Sequence, residues 1–112
     1  MSGGVVWTDA SVRVPHAALP VGDVVAGAPT SGSVEIGRFG AVRFGVWEIT
    51  RGVVADVEVD EVFVVLAGRG RVEFLAPAAP TIELAEGMVV RLFAGARTRW
   101  IVDETIRKVY AV

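Results

Sequence analysis

From Ser33 to Val112 no segment keeps a 3.6-residue apolar period, and short apolar or alternating runs are instead broken repeatedly by glycine, proline or acidic turns. "SVEIGRF" and "AVRFGVWEIT" alternate; "VFVVLA" is apolar on both faces, as in a strand covered on both sides. "RVEFL", "TIEL", "GMVVRLF", "TRWIV" and "TIRKVYAV" follow at short intervals. Turn signals stand between them at Arg51-Gly52, Gly68-Arg69-Gly70, the stretch from Pro77 to Pro80, Glu86-Gly87, Ala94-Gly95 and Asp103-Glu104. About eight to ten short strands in so small a chain predict an all-β barrel or jelly roll, because closure protects strand edges.

At 112 residues one domain with one core is expected. Residues 1–32, rich in Pro, Gly, Ala and Ser, read as an N-terminal arm lying over the core and carrying one short strand; residues 33–112 form the barrel. Hydrophobic residues make up 53% of the chain, which is ample for a core and too apolar for disorder. No apolar run reaches the roughly 18–20 residues of a membrane helix. The start "MSGGVVWTDA" has no basic, apolar signal pattern, so nothing marks secretion; with no long apolar run, a membrane partner is not expected. With no cysteine, disulfides, thiolate zinc sites and thiol nucleophiles are excluded, and a cytoplasmic location fits. A net charge of -2 without a dense basic run argues against nucleic acid.

The densest chemistry is "DVEVDE", residues 56–61. Strand parity places Asp56, Glu58 and Asp60 on one face, expected to be solvated, and Glu61 on the other with Phe63 and Val65. Glu61 is therefore the inward candidate: either a buried carboxylate needing a partner or a proton, or a strand-end group reaching water. By the same parity Glu48 goes with Phe44 and Val46 as a second inward carboxylate. Trp47 is then outward, under the arm or in a dimer interface. Thr98 goes with Trp100, opposite Arg97 and Arg99, and Lys108 with Tyr110. A Glu48–Lys108 pair would satisfy both charges.

"FGVWEITRG", "DEVFVVLAGRGRV" and "IELAEGMVVRLFAGARTRWIVDETIRKVYAV", in that order, resemble the cupin superfamily. More closely they resemble small single-domain cupins related to the (S)-ureidoglycine aminohydrolase cupin domain. The resemblance implies a double-stranded β-helix (jelly-roll barrel) with a pocket inside its open end, often as a homodimer. In the cupin metal motif G-x5-H-x-H-x(3,4)-E-x6-G, Glu61 takes the glutamate position before Gly68. The histidine positions fall on Ala55 and Val57, or on Val54 and Asp56. In the second motif, G-x5-P-x-G-x2-H-x3-N, Gly87 and Gly95 fit, whereas Phe93, Thr98 and Val102 replace proline, histidine and asparagine. Met88 stands where these small cupins usually carry aspartate. Only Glu61 of the usual four ligands is kept, and His16 lies in the arm, so no metal and no cofactor are expected.

The resulting ligand-binding candidates are Glu48, Glu61, Phe63, Thr98, Trp100, Lys108 and Tyr110. Three readings stand. The first is a metal-free barrel binding a small polar metabolite. The second is an enzyme of aminohydrolase-like or isomerase-like type, with Glu48 or Glu61 as acid/base. The third is an accessory barrel with a filled lumen, Trp100, Phe63 and Phe44 occupying it. A homodimer is expected from the apolar faces of "VFVVLA".

Overall fold

The computed structural model describes residues 3–8 and 11–112. The strands, in chain order, are β1 (Ala17–Ala18), β2 (Val24–Ala26), β3 (Thr30–Phe39), β4 (Val42–Ile49), β5 (Gly52–Val57), β6 (Glu61–Ala76), β7 (Ala79–Leu84), β8 (Val89–Leu92) and β9 (Arg97–Ala111). A single 3-10 turn, Val21–Asp23, precedes β2. All strand pairs are antiparallel. The arm thus holds two short strands and a 3-10 turn rather than the one strand expected: β1 adds to β3, and β2 adds to β5.

Closure comes from β6 and β9, which pair from Val62↔Ala111 to Ala76↔Arg97. The C-terminal half of β9 lies between β4 and the N-terminal half of β6, which in turn pairs with β8. The N-terminal half of β9 lies between β5 and the C-terminal half of β6, which pairs with β7. One curled sheet, folded over along two long bent strands, makes the double-stranded β-helix. The turns expected at Gly68-Arg69-Gly70 and Asp103-Glu104 are not turns. Each lies within a long strand, and the ladder carries register shifts between Ala67 and Gly70 that let β6 bend without breaking. Gly68 has φ +99, and a Cβ there would lie 2.1 Å from the Thr105 carbonyl oxygen, so the bend needs glycine.

The inner face of the curled sheet buries Ile49, Phe63, Val65, Val72, Leu92 and Ile106 almost completely. Each such side chain stabilises the fold by about 1.5–3 kcal/mol relative to exposure. The outer face of β4 is also apolar, because the arm covers it. Val46 is buried there, Val14 is buried, and the Trp7 ring sits 5.5 Å from the Phe44 ring. The arm passes so close to β3 that a Cβ on Gly32 would meet the Pro15 carbonyl oxygen at 1.8 Å.

This cover corrects the facing of β4. Phe44, Val46 and Glu48 do share a face, but it is the outer one, under the arm. Phe44 does not fill the lumen, and Trp47 points inward. Glu48 pairs with Arg107 and His16 rather than with Lys108: its two oxygens accept from His16 Nε2 and Arg107 Nη1, each at 2.7 Å. Arg107 Nη2 also donates to the Val12 carbonyl, and His16 Nδ1 lies 3.0 Å from Thr30 Oγ1. Partial burial pushes the Glu48 carboxyl up, but the hydrogen bonds from His16 and Arg107 outweigh it and hold its pKa below the ordinary value.

Its stabilising contribution is present above the ordinary glutamate pKa and is lost as pH falls through the lowered folded value. Glu48→Gln should cost about 1–2 kcal/mol and loosen the arm while leaving the barrel closed. Limited trypsin digestion would then cut faster after Arg13; an unchanged rate would refute the staple.

Candidate functional site

The inward faces of β4, β5 and β9 and the loop after β5 enclose a cavity of about 310 Å³. That lies at the lower end of the range of small-molecule sites. At its floor Lys108 Nζ sits 2.7 Å from Glu61 Oε2, with both side chains more than nine-tenths buried. The same ammonium lies over the rings of Trp47 (4.4 Å), Phe63 (4.4 Å) and Trp100 (5.0 Å). Trp47 meets Trp100 edge-on at 5.4 Å. A cation boxed by three ring faces and one carboxylate is held by cation–π attraction as well as by its counter-ion. Register explains the convergence: Trp47 and Val65 both pair with Lys108, on either side of β9, so their side chains share its inward face.

Glu58 corrects the expectation of a solvated outer triplet. It is only 5% exposed, and its Oε1 accepts from Thr98 Oγ1 at 2.7 Å and Trp100 Nε1 at 2.9 Å. The face that Asp56 and Glu58 share is the inward one: Val54 pairs with Trp100 and Asp56 with Thr98, so the side of β5 that carries Asp56, and Glu58 just beyond it, turns to the lumen. The loop is pinned by Glu58 N–H donating to the Ala96 carbonyl and Gly95 N–H donating to the Glu58 carbonyl, each at 2.8 Å. Asp60 is exposed as expected and accepts from the Ala94 N–H and Arg91 Nη2, which hold its pKa below the ordinary value.

Asp56 stands at the cavity's exposed rim. Desolvation of its carboxyl, then the nearby Glu58 charge, push its pKa up to about 6, from an ordinary 3.8. Because the folded pKa is raised, the folded chain holds a proton that the unfolded chain has lost between those values. Stability therefore falls as pH rises through that window, and the cost is complete above it. After allowance for solvent screening, Asp56→Asn should stabilise the fold by about 1 kcal/mol at pH 7.5 and by nothing near pH 4. Urea denaturation at the two pH values checks this, and an equal effect at both would contradict it.

The predicted residues thus divide. Glu61, Trp100, Lys108 and Tyr110 line the cavity, and Tyr110 Oη lies 2.7 Å from Ser33 Oγ, also in its wall. Thr98 and Phe63 are buried behind that wall, Thr98 holding Glu58 and Phe63 lying under Lys108. Glu48 is outside it. Trp47, Asp56 and Glu58 are wall residues that parity reasoning had turned outward. Gly45 and Ile49, in step with Trp47, are both buried, but in the sequence Phe44 and Val46 make the other face equally apolar.

A model of the EutQ-like cupin domain family matches residues 36–110. The chain belongs to that family. No curated protein matches this EutQ-like cupin. Among solved structures, it is similar to the Clostridium difficile EutQ protein, with 14% identity and a TM-score of 0.67 over 89% of this chain and 79% of that one. It is also similar to a protein of unknown function from Pseudomonas syringae pv. tomato, with 19% identity and a TM-score of 0.71 over 92% of this chain and 45% of that one. A third is a cupin-2 domain protein from Shewanella frigidimarina, with 19% identity and a TM-score of 0.60 over 72% of this chain and 78% of that one. At such identities the likeness speaks to fold alone. The finer resemblance to the (S)-ureidoglycine aminohydrolase cupin domain is not shown by these comparisons.

The residues of this EutQ-like cupin do not fit a metal held in the familiar cupin manner. Glu61, at the ligand position, faces Lys108 Nζ, and Thr98, at a histidine position, donates to Glu58. Among the described residues no three His, Cys, Asp or Glu side chains gather where they could share an ion. No helix among them is long and apolar enough to cross a membrane.

Proposed function

We propose that this chain is a small-molecule-binding cupin that works without a metal, its ligand seated in the lumen between Trp47, Trp100 and Glu58. The observation that carries this reading is the cavity of about 310 Å³, whose aliphatic wall also presents charged and aromatic side chains to the interior. The lumen is not filled, which weighs against a purely structural barrel. An acid/base role is less well supported: Glu48 lies on the outer face, and Glu61 is engaged by Lys108. The test is a thermal-shift screen of metabolites, run with and without divalent metal ions. One compound class should raise Tm by linkage in the absence of metal. Stabilisation by none, or only with metal, would defeat the reading.

Self-association belongs to the same proposal. Val62, Val89 and Phe93 are exposed (42%, 69% and 64%) on β6 and just along β8, and β8 pairs with β6 alone. Sedimentation at micromolar concentration should report a homodimer, and a monomer would contradict it.

A further inference from the structure

We propose that the ligand of this lumen is a small organic cation, an alkylammonium or guanidinium group, with Glu58 as its charge partner; this rests on the binding reading above. The cavity wall carries more negative charge than it neutralises. Lys108 answers Glu61, but Asp23, Asp56 and Glu58 line the same cavity, and none of them has an ion-pair partner among the described residues.

Glu58 is the decisive group. Its side chain is buried, and both donors that reach it, Thr98 and Trp100, are neutral and converge on Oε1. Oε2 has no hydrogen-bond partner among the described residues, yet it is not sealed from solvent, and Glu58 belongs to the cavity wall. A carboxylate withdrawn from water and held only by neutral donors is a strong acceptor with one lone-pair edge unmet. A ligand N–H carrying positive charge satisfies that edge and supplies the missing counter-charge. Desolvation and then the Glu58 charge already act on Asp56, as its raised pKa shows, so a cation placed between the two relieves their repulsion.

Among the described residues no three carboxylates gather where they could share a metal ion, which favours a larger cation with more than one N–H. The indoles of Trp47 and Trp100 supply apolar area beside the charge. Anionic ligands meet the opposite situation: the one ammonium in the wall is already paired and boxed by rings.

The experiment is calorimetric titration of the full chain with n-butylammonium and methylguanidinium at millimolar concentration, beside 1-butanol and butyrate as neutral and anionic counterparts. The two cations should bind saturably and the other two should not. Glu58→Gln, whose amide oxygen still accepts from Thr98 and Trp100, should weaken cation binding by about tenfold or more. Asp56→Asn, a change at the exposed rim, should weaken it less and serves as the reporter should Glu58→Gln fail to fold. Binding of butanol or butyrate in place of the cations overturns the charge assignment and leaves the binding reading standing. The same holds if the metabolite screen finds only neutral or anionic ligands. Equal cation binding by both variants and the unaltered chain overturns the role of the carboxylates. A chain that binds none of the four probes and no metabolite overturns both proposals.

Discussion

Lys108→Met should lower the stability of the barrel by about 3–5 kcal/mol in urea denaturation, the usual cost of stripping one partner from a buried ion pair. The substitution keeps a similar apolar stem but leaves the Glu61 carboxylate, 8% exposed, with no counter-ion. The loss belongs to the stranded charge rather than to the pair as such. Lys108→Met combined with Glu61→Met should therefore recover most of it and lie within about 1–2 kcal/mol of the unaltered chain. The residual deficit reflects the cation–π contacts with Trp47, Phe63 and Trp100, which methionine replaces only with dispersion. Equal destabilisation in the single and double variants would mean that Glu61 and Lys108 are not coupled.

Trp100→Ala should cost about 3–5 kcal/mol, because the indole is 3% exposed and its removal leaves a hole between two other rings. For a domain of this size that corresponds to a fall in Tm of roughly 15–25 °C. Packing and hydrogen bonding separate in a second variant. Trp100→Phe keeps a ring against Trp47 and Phe63 but removes the Nε1 donor to Glu58, and about 1–2 kcal/mol should be lost. A Trp100→Phe chain as unstable as Trp100→Ala would place most of the energy in the Glu58 hydrogen bond.

The strand pattern was legible because apolar alternation and glycine turns follow from local geometry. The facing of Glu61 with Phe63 and Val65 followed from parity within one strand, and that of Trp100 from the cupin resemblance at Thr98, whereas parity grouped Lys108 with Tyr110 without giving their side. Two physical effects hid the rest. On β4 both faces are apolar, since the arm half-buries Phe44 and buries Val46 on one side while Ile49 lies in the core on the other; alternation alone then cannot say which face is inside, and Glu48 and Trp47 were exchanged. On β5 the period of two held but the facing was misread: four carboxylates suggested a solvated side, whereas Asp56 pairs with inward Thr98, and a non-local pin to Ala96 and Gly95 holds the Glu58 loop over the lumen. Gly68 misled in a third way. Its positive φ is the signature of a turn, but here it bends a strand that stays paired.

The most direct measurement of the lumen's role is a 15N–1H NMR titration of the three tryptophan indole N–H signals in the presence of EDTA, using each compound that stabilises the fold. Trp47 and Trp100 stand in the cavity wall, whereas Trp7, in the arm, packs on Phe44 on the outer face of β4. The account predicts that the Trp47 and Trp100 signals shift together and saturate while Trp7 stays in place. Shifts confined to Trp7, or shifts that appear only when a divalent metal replaces the chelator, would contradict it.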